Sequence, residues 1–127
     1  MEPPARRLTL GRARRIRRSG EFARLKSSGK RLAVGCLVLN WSLDPPPPAS
    51  RLGVISARSV GGAVERNRAR RLLREAWRLH QGSFARPAHM ILIARPSLRQ
   101  CTFAQVQADL HHALRRAGLL APAASPR

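Results

Sequence analysis

Six arginines crowd the stretch Ala63 to Arg78, AVERNRARRLLREAWR, and their spacing decides what they can do. A guanidinium is permanently charged and planar, and its paired donors match two oxygens of one phosphate. At about 100° per residue on a helix, Arg66, Arg70, Arg74 and Arg78 form an i, i+4 ladder, with Asn67 and Arg71 beside it. Ala69, Leu72, Leu73, Ala76 and Leu79 gather on the other side, and Arg68 lies on the far flank of that apolar stripe. A helix divided this way docks on a core and still presents a rigid cationic face, suited to holding a polyanion. Solvated helix faces usually alternate signs. Here Glu65 and Glu75 alone oppose the arginines, and Glu65 sits in the first turn, where a carboxylate suits the helix dipole.

The remaining residues offer no bond-breaking chemistry. The six carboxylates are scattered and form no acidic cluster for metal ions. His80, His89, His111 and His112 lack ligand spacing and read as surface residues. No Ser or Cys has a His partner in a motif. Cys36 and Cys101 form no CxxC pair, and Cys36, inside an apolar run, reads as a buried thiol. The sequence therefore predicts no catalytic residue, no metal site and no organic cofactor in the chain itself. Gly61–Gly62, just before the arginine stretch, reads as a tight turn; backbone N–H groups there are also placed to receive a phosphate or a metal-bound water. Trp77 and Phe103 fit packing positions, whereas Phe22 and Trp41 suit either a core or a groove on which bases stack.

Charge narrows the partner. Lysine plus arginine number 25 against 6 acidic residues, for a net charge of +19 and a pI near 12. Self-repulsion of that size disfavours a compact state unless anions neutralise it, which points to nucleic acid first and an anionic membrane second. Arginine outnumbers lysine 23 to 2. A GC-rich genome also enriches arginine, but it does not create a surplus of positive charge. No apolar run approaches a membrane span, and no apolar h-region follows the basic N-terminus, so cytoplasm is the expected compartment.

At 127 residues the chain is expected to be one domain with a modest core. Residues 1–18 read as a flexible basic arm in which Arg14, Arg15, Arg17 and Arg18 touch anions, 19–119 as the folded domain, and 120–127 as a disordered tail. Ser19 caps a helix through Ser28, closed by Gly29. Leu32 to Trp41 reads as a buried strand, Ser42 to Ser50 with Pro45 to Pro48 as a loop, and Arg51 to Ala57 as a second strand hairpin-paired with the first. The arginine helix ends near His80 to Gly82. His89 to Ala94 is a third strand, and Thr102 with Gln105 has capping-box spacing before a last amphipathic helix ending at Gly118. The fold class is α+β: a small sandwich, helix–strand–strand–helix–strand–helix, with room for one further short strand in a mostly antiparallel sheet.

The run RLGVISARSVGGAVERNRARRLLREAWR resembles the signature of the bacterial ribonuclease P protein subunit family: a glycine-containing strand, a basic turn, a small-residue turn, then the RNR helix. RRIRRSGEFARLKSSGKR is similar to the family's basic segment and first helix, and HMILIARPS to its last strand, so the likeness covers roughly Arg12 to Leu119. A long heptad zipper would be needed for the competing resemblance to leucine-zipper basic regions, and Gly82 and Pro87 stop the helix instead.

The resemblance implies a fold like the second domain of ribosomal protein S5, with a left-handed crossover through the RNR helix. It also implies a subunit of a ribonucleoprotein endoribonuclease that frees the 5′ leader of precursor tRNA. In that family the RNA carries the chemistry and holds most of the Mg²⁺, and the partners are ribonuclease P RNA and precursor tRNA, with no membrane and no obligatory protein partner. Carried over by position, Arg58, Arg66, Asn67, Arg68, Arg70, Arg71 and Arg74 form the RNA-facing set, and Phe22, Lys26, Asn40 and Trp41 line the leader cleft. Lys26 and Asn40 stand where the family often has aromatics, and Gly62 where it commonly has Asn. The alternatives are a structural RNA binder or RNA chaperone without a catalytic complex, and a module that binds duplex DNA.

Overall fold

A computed structural model describes residues 29–43 and 46–121. The basic arm and the expected helix from Ser19 to Ser28 lie outside the described residues. The elements are strands β1 (Lys30–Val34), β2 (Leu37–Ser42) and β3 (Arg51–Ser56), helix α1 (Ala63–Arg78), strand β4 (His89–Ala94) and helix α2 (Phe103–Arg116). The sheet order is β1-β2-β4-β3. β1 and β4 run antiparallel to β2, while β3 runs parallel to β4.

Two expectations are corrected. The apolar run from Leu32 to Trp41 is not one strand but a hairpin, folded back at Gly35, whose φ of +54° lies in the left-handed region. Nor does β3 pair with the strand before it. β4 inserts between them, because its Met90, Leu92 and Ala94 on one face and Ile91 on the other are all buried, as a central strand requires. The proline-rich connection is too long and stiff for a tight hairpin. A parallel pair needs a crossover, and α1 supplies it between β3 and β4.

Both helices cover the same face of the sheet. Leu37, Leu39 and Trp41 of β2, Leu52 of β3 and Met90 and Leu92 of β4 form one core with Leu73, Ala76 and Trp77 of α1 and Val106, Leu110 and Leu114 of α2. Trp77 is sealed inside: its indole N–H donates to Met90 Sδ at 3.4 Å and its ring lies 5.4 Å from that of Phe84. Leu79, expected in the same apolar stripe, is instead 39% exposed. On the opposite face Ile91 packs with Ile55 and Ile93 in a small separate cluster.

Helix α2 starts as its sequence predicts. Gln105 N–H donates to Thr102 Oγ1 at 3.2 Å, and Thr102 N–H donates to Gln105 Oε1 at 2.8 Å. The domain runs past residue 119: Leu120 bridges to Phe84, and Ala121 N–H donates to Ser83 O at 2.7 Å. No described helix is long and apolar enough to cross a membrane.

The β1–β2 turn is tied to α2. Cys36 N–H donates to Asp109 Oδ2 at 3.0 Å, and burial, aided by the Asp109 carboxylate, pushes the Cys36 thiol well above the ordinary thiol range. A Cβ at Gly35 would lie 2.2 Å from Asp109 Oδ2. Gly35→Ala is therefore expected to lose about 1–2 kcal/mol from backbone strain, with Asp109 displaced from the Cys36 amide. Urea unfolding checks this; an unchanged midpoint would contradict the turn geometry.

Candidate nucleic-acid interface

The arginine helix is held by its own entry turn. Val60, fully buried, anchors the short 3-10 turn Arg58–Val60, and Gly61 (φ +148°) then redirects the chain. A Cβ at Gly61 would come within 2.9 Å of Glu65 Cβ. Glu65 Oε1 accepts the Gly62 N–H at 2.9 Å. The amide that the sequence left open to a phosphate thus already has an anion, supplied by the helix itself. Glu65 Oε2 also lies 3.7 Å from Arg99 Nη2.

The arginines divide by flank. Arg66 Nη1 donates to Gly61 O at 2.9 Å, fixing the guanidinium against the turn while leaving its other donors for a ligand. Arg70 donates to Asn67 Oδ1. Asn67, Arg71 and Arg74 are exposed on the same side, and Arg58 is exposed on the turn before them. Arg78 is paired locally: its Nε donates to Glu75 Oε1 at 3.0 Å, and that bond holds the Glu75 carboxyl below its ordinary range.

Arg68 departs from this set. It lies on the opposite flank, where Nη2 donates to Cys101 O at 2.8 Å and Nη1 to Arg99 O at 3.4 Å. It acts as a strut between α1 and the segment leading into α2. We expect Arg68→Ala to cost about 1–2 kcal/mol in stability and to change the salt dependence of RNA binding less than Arg70→Ala does. Parallel melting and salt titrations decide it; a larger slope change for Arg68→Ala would return it to the interface.

The structure adds two cations that sequence reasoning missed. Arg95 immediately precedes the short 3-10 segment Pro96–Gln100 and Arg99 lies in its last turn; the segment packs against the Arg58 turn. Arg95 Nη1 donates to Gly35 O at 3.1 Å. Their signal was present as basic residues directly after a buried strand.

Asn40 and Trp41, expected together in one cleft, point to opposite faces. Trp41 belongs to the core beneath the helices. Asn40 lies on the other face, buried, and its Oδ1 has no hydrogen-bond partner. Phe22, Lys26, Arg14, Arg15, Arg17 and Arg18 lie outside the described residues.

One histidine is not on the surface as expected. His80 is buried, its Nδ1 2.9 Å from Ala76 O and its Nε2 3.4 Å from Nδ1 of His111. Burial, then the charges of His80, Arg115 and His112, lower the pKa of His111.

Among the described residues no three His, Cys, Asp or Glu side chains gather around a common point. The three carboxylates there are engaged: Glu65 with Gly62 and Arg99, Glu75 with Arg78, Asp109 with Cys36. Such a donor set does not fit Mg²⁺, which wants oxygens in octahedral array, so no chemical step is assigned to a metal held by these side chains.

The two helices and four strands of the described residues, with their rigid arginine face, define a basic α+β polyanion binder. The comparisons with known proteins say which one. The family model described as Ribonuclease P matches residues 10–118. The ribonuclease P protein component of Roseiflexus castenholzii is 40% identical over 115 residues, covering 90% of this chain and 93% of that protein. That of Gluconacetobacter diazotrophicus is 38% identical, covering 85% and 94%. Among solved structures, the RNase P protein from Staphylococcus aureus superposes with a TM-score of 0.77 at 27% identity, covering 92% of this chain and 99% of that one. The RNase P protein from Thermotoga maritima gives 0.70 at 27% identity, covering 80% and 96%.

The chain belongs to the ribonuclease P protein family. It is thus the protein component of a ribonucleoprotein endoribonuclease of tRNA processing, and its partner is ribonuclease P RNA.

Proposed function

We propose that α1 holds the sugar–phosphate backbone of ribonuclease P RNA through Arg66, Asn67, Arg70, Arg71 and Arg74, with Arg58 extending the contact onto the turn. Arg14, Arg15, Arg17 and Arg18 add further phosphate contacts. The 5′ leader of precursor tRNA lies against the face of the sheet opposite α1 and α2, at Asn40, and Phe22 and Lys26 contribute to binding it. The RNA holds the Mg²⁺ that serves hydrolysis, and this chain binds, orients and neutralises. The complex works in the cytoplasm. The observation that carries this reading is the exposed arginine face on a helix whose opposite side is locked into the core. The unpartnered Asn40 Oδ1 supports the leader's place, since a buried acceptor without a donor is costly and a base or ribose hydroxyl can satisfy it.

Reconstitution tests it. With a bacterial ribonuclease P RNA, the chain is expected to accelerate cleavage of precursor tRNA at low Mg²⁺, and to do so less for a substrate with a truncated leader. Tight RNA binding without stimulation would favour an RNA chaperone instead.

A further inference from the structure

We propose that His80 and His111 form a two-imidazole site for a borderline transition-metal ion, Zn²⁺ by preference, which staples the end of the arginine helix to α2.

The geometry begins with His80. A carbonyl oxygen only accepts, so Nδ1 of His80, 2.9 Å from Ala76 O, must carry the ring proton. Its Nε2 then presents a lone pair to Nδ1 of His111, 3.4 Å away, accepting that ring's N–H until a metal ion takes the proton's place. A ligand imidazole whose other nitrogen donates to a backbone carbonyl is the usual second-shell arrangement around a bound metal. Two nitrogens on a tetrahedral ion with bonds of 2.0–2.1 Å stand about 3.3–3.4 Å apart. The two rings meet that span, with centroids 5.5 Å apart and planes inclined at 38°. His80 is buried and fixed, whereas His111 is exposed and can turn slightly to aim its lone pair. On metal binding the His111 proton resides on Nε2, leaving Nδ1 as the ligand, so both imidazoles coordinate neutral.

The site has room for the rest of a coordination sphere. His80 and His111 line an open cavity of about 460 Å³ together with Gln107, His112 and Arg115. Gln107, one turn before His111 on the same helix face, also lines the cavity and has an amide oxygen to offer, and water completes the shell. Arg115 on the rim opposes a cation, which holds affinity to the micromolar range. The nitrogen donors select against Mg²⁺, which needs oxygens, and for ions late in the first transition row. Because the ligands come from two separate elements, only the folded chain presents both. The ion therefore stabilises the docking of the helix that carries the RNA-facing arginines.

The test uses the full-length reduced chain without RNA. Zn²⁺ at about 100 µM is expected to raise Tm by roughly 4 °C or more, with one ion bound per chain by calorimetry and a tetrahedral Co²⁺ absorption band in its place. His111→Ala, at an exposed position, is expected to keep the fold, abolish the Tm shift and weaken Zn²⁺ binding at least tenfold; His89→Ala is expected to change neither. Retention of full Zn²⁺ affinity in His111→Ala would overturn the proposal. So would a stabilisation by inorganic phosphate that depends on Arg115 and His111 with no response to Zn²⁺, which would make the cavity an anion pocket.

Discussion

Replacing Arg66, Arg70 and Arg71 together by alanine is expected to weaken binding to ribonuclease P RNA by roughly 100–1,000-fold near physiological salt. A hydrogen bond to a charged group contributes about 1.5–3 kcal/mol, each tenfold in affinity is about 1.4 kcal/mol, and three neighbouring guanidiniums on one strand of phosphates will not add independently. The sharper signature is salt dependence. Each lost phosphate contact removes its share of counterion release, so the slope of log K against log salt should fall by about one unit per contact at most. The helix should survive, because the three side chains are half-buried or exposed while the core stripe of Ala69, Leu73, Ala76 and Trp77 is untouched. The bonds from Arg66 to Gly61 O and from Arg70 to Asn67 Oδ1 are lost, and melting of the free protein measures that cost separately. Cleavage of precursor tRNA at low Mg²⁺ should fall with the affinity and recover at high Mg²⁺, where the RNA needs less help in neutralising its own charge. An unchanged slope would move the RNA to another surface of the molecule.

What the sequence revealed and what it hid follow from the range of the forces involved. The arginine helix and the α2 cap were legible because both are local: a 3.6-residue period and a Thr three residues before a Gln act within a few turns. The identity of β4 was legible for the same reason. Its place between β2 and β3 was not, because strand order depends on pairings between residues tens of positions apart. The break at Gly35 was hidden by an apolar run that reads as continuous; the turn is tied through the Cys36 amide to Asp109, which comes from far along the chain and leaves no room for a side chain at Gly35. His80 was misread as exposed, since its burial depends on the neighbouring α2 and its His111. The separation of Asn40 from Trp41, by contrast, was available. Adjacent residues of a strand always face opposite ways, and the pairing of Trp41 into the helix-covered core follows once Leu37 and Leu39 are placed there. Arg68 shows a mixed case: the helical period puts it on the far flank, but only the fold supplies the carbonyls of Arg99 and Cys101 that engage it.

Leu73→Ala should produce the larger loss of stability of the two leucine truncations in α1. Leu73 is fully buried in the middle of the helix, within the core shared by the sheet and α2, and its helix neighbours Ala69 and Ala76 are too small to close a cavity there. Leucine-to-alanine changes in such positions cost about 2–5 kcal/mol, rising with the volume left unfilled. A domain of this size holds about 5–15 kcal/mol in total, so a large share would be lost and Tm should fall by roughly 10–25 °C. Leu72, one residue earlier and only partly buried, should cost less than half as much. The pair of variants separates docking from recognition. Below its lowered Tm, Leu73→Ala still carries every guanidinium on α1, so its salt slope for RNA should match that of the unaltered chain even as its melting point drops. Equal losses at Leu72 and Leu73 would mean that α1 meets the sheet at a different rotation. Arg66 and Arg70 would then no longer flank Trp77 at the core boundary, and the arginine ladder would face another direction.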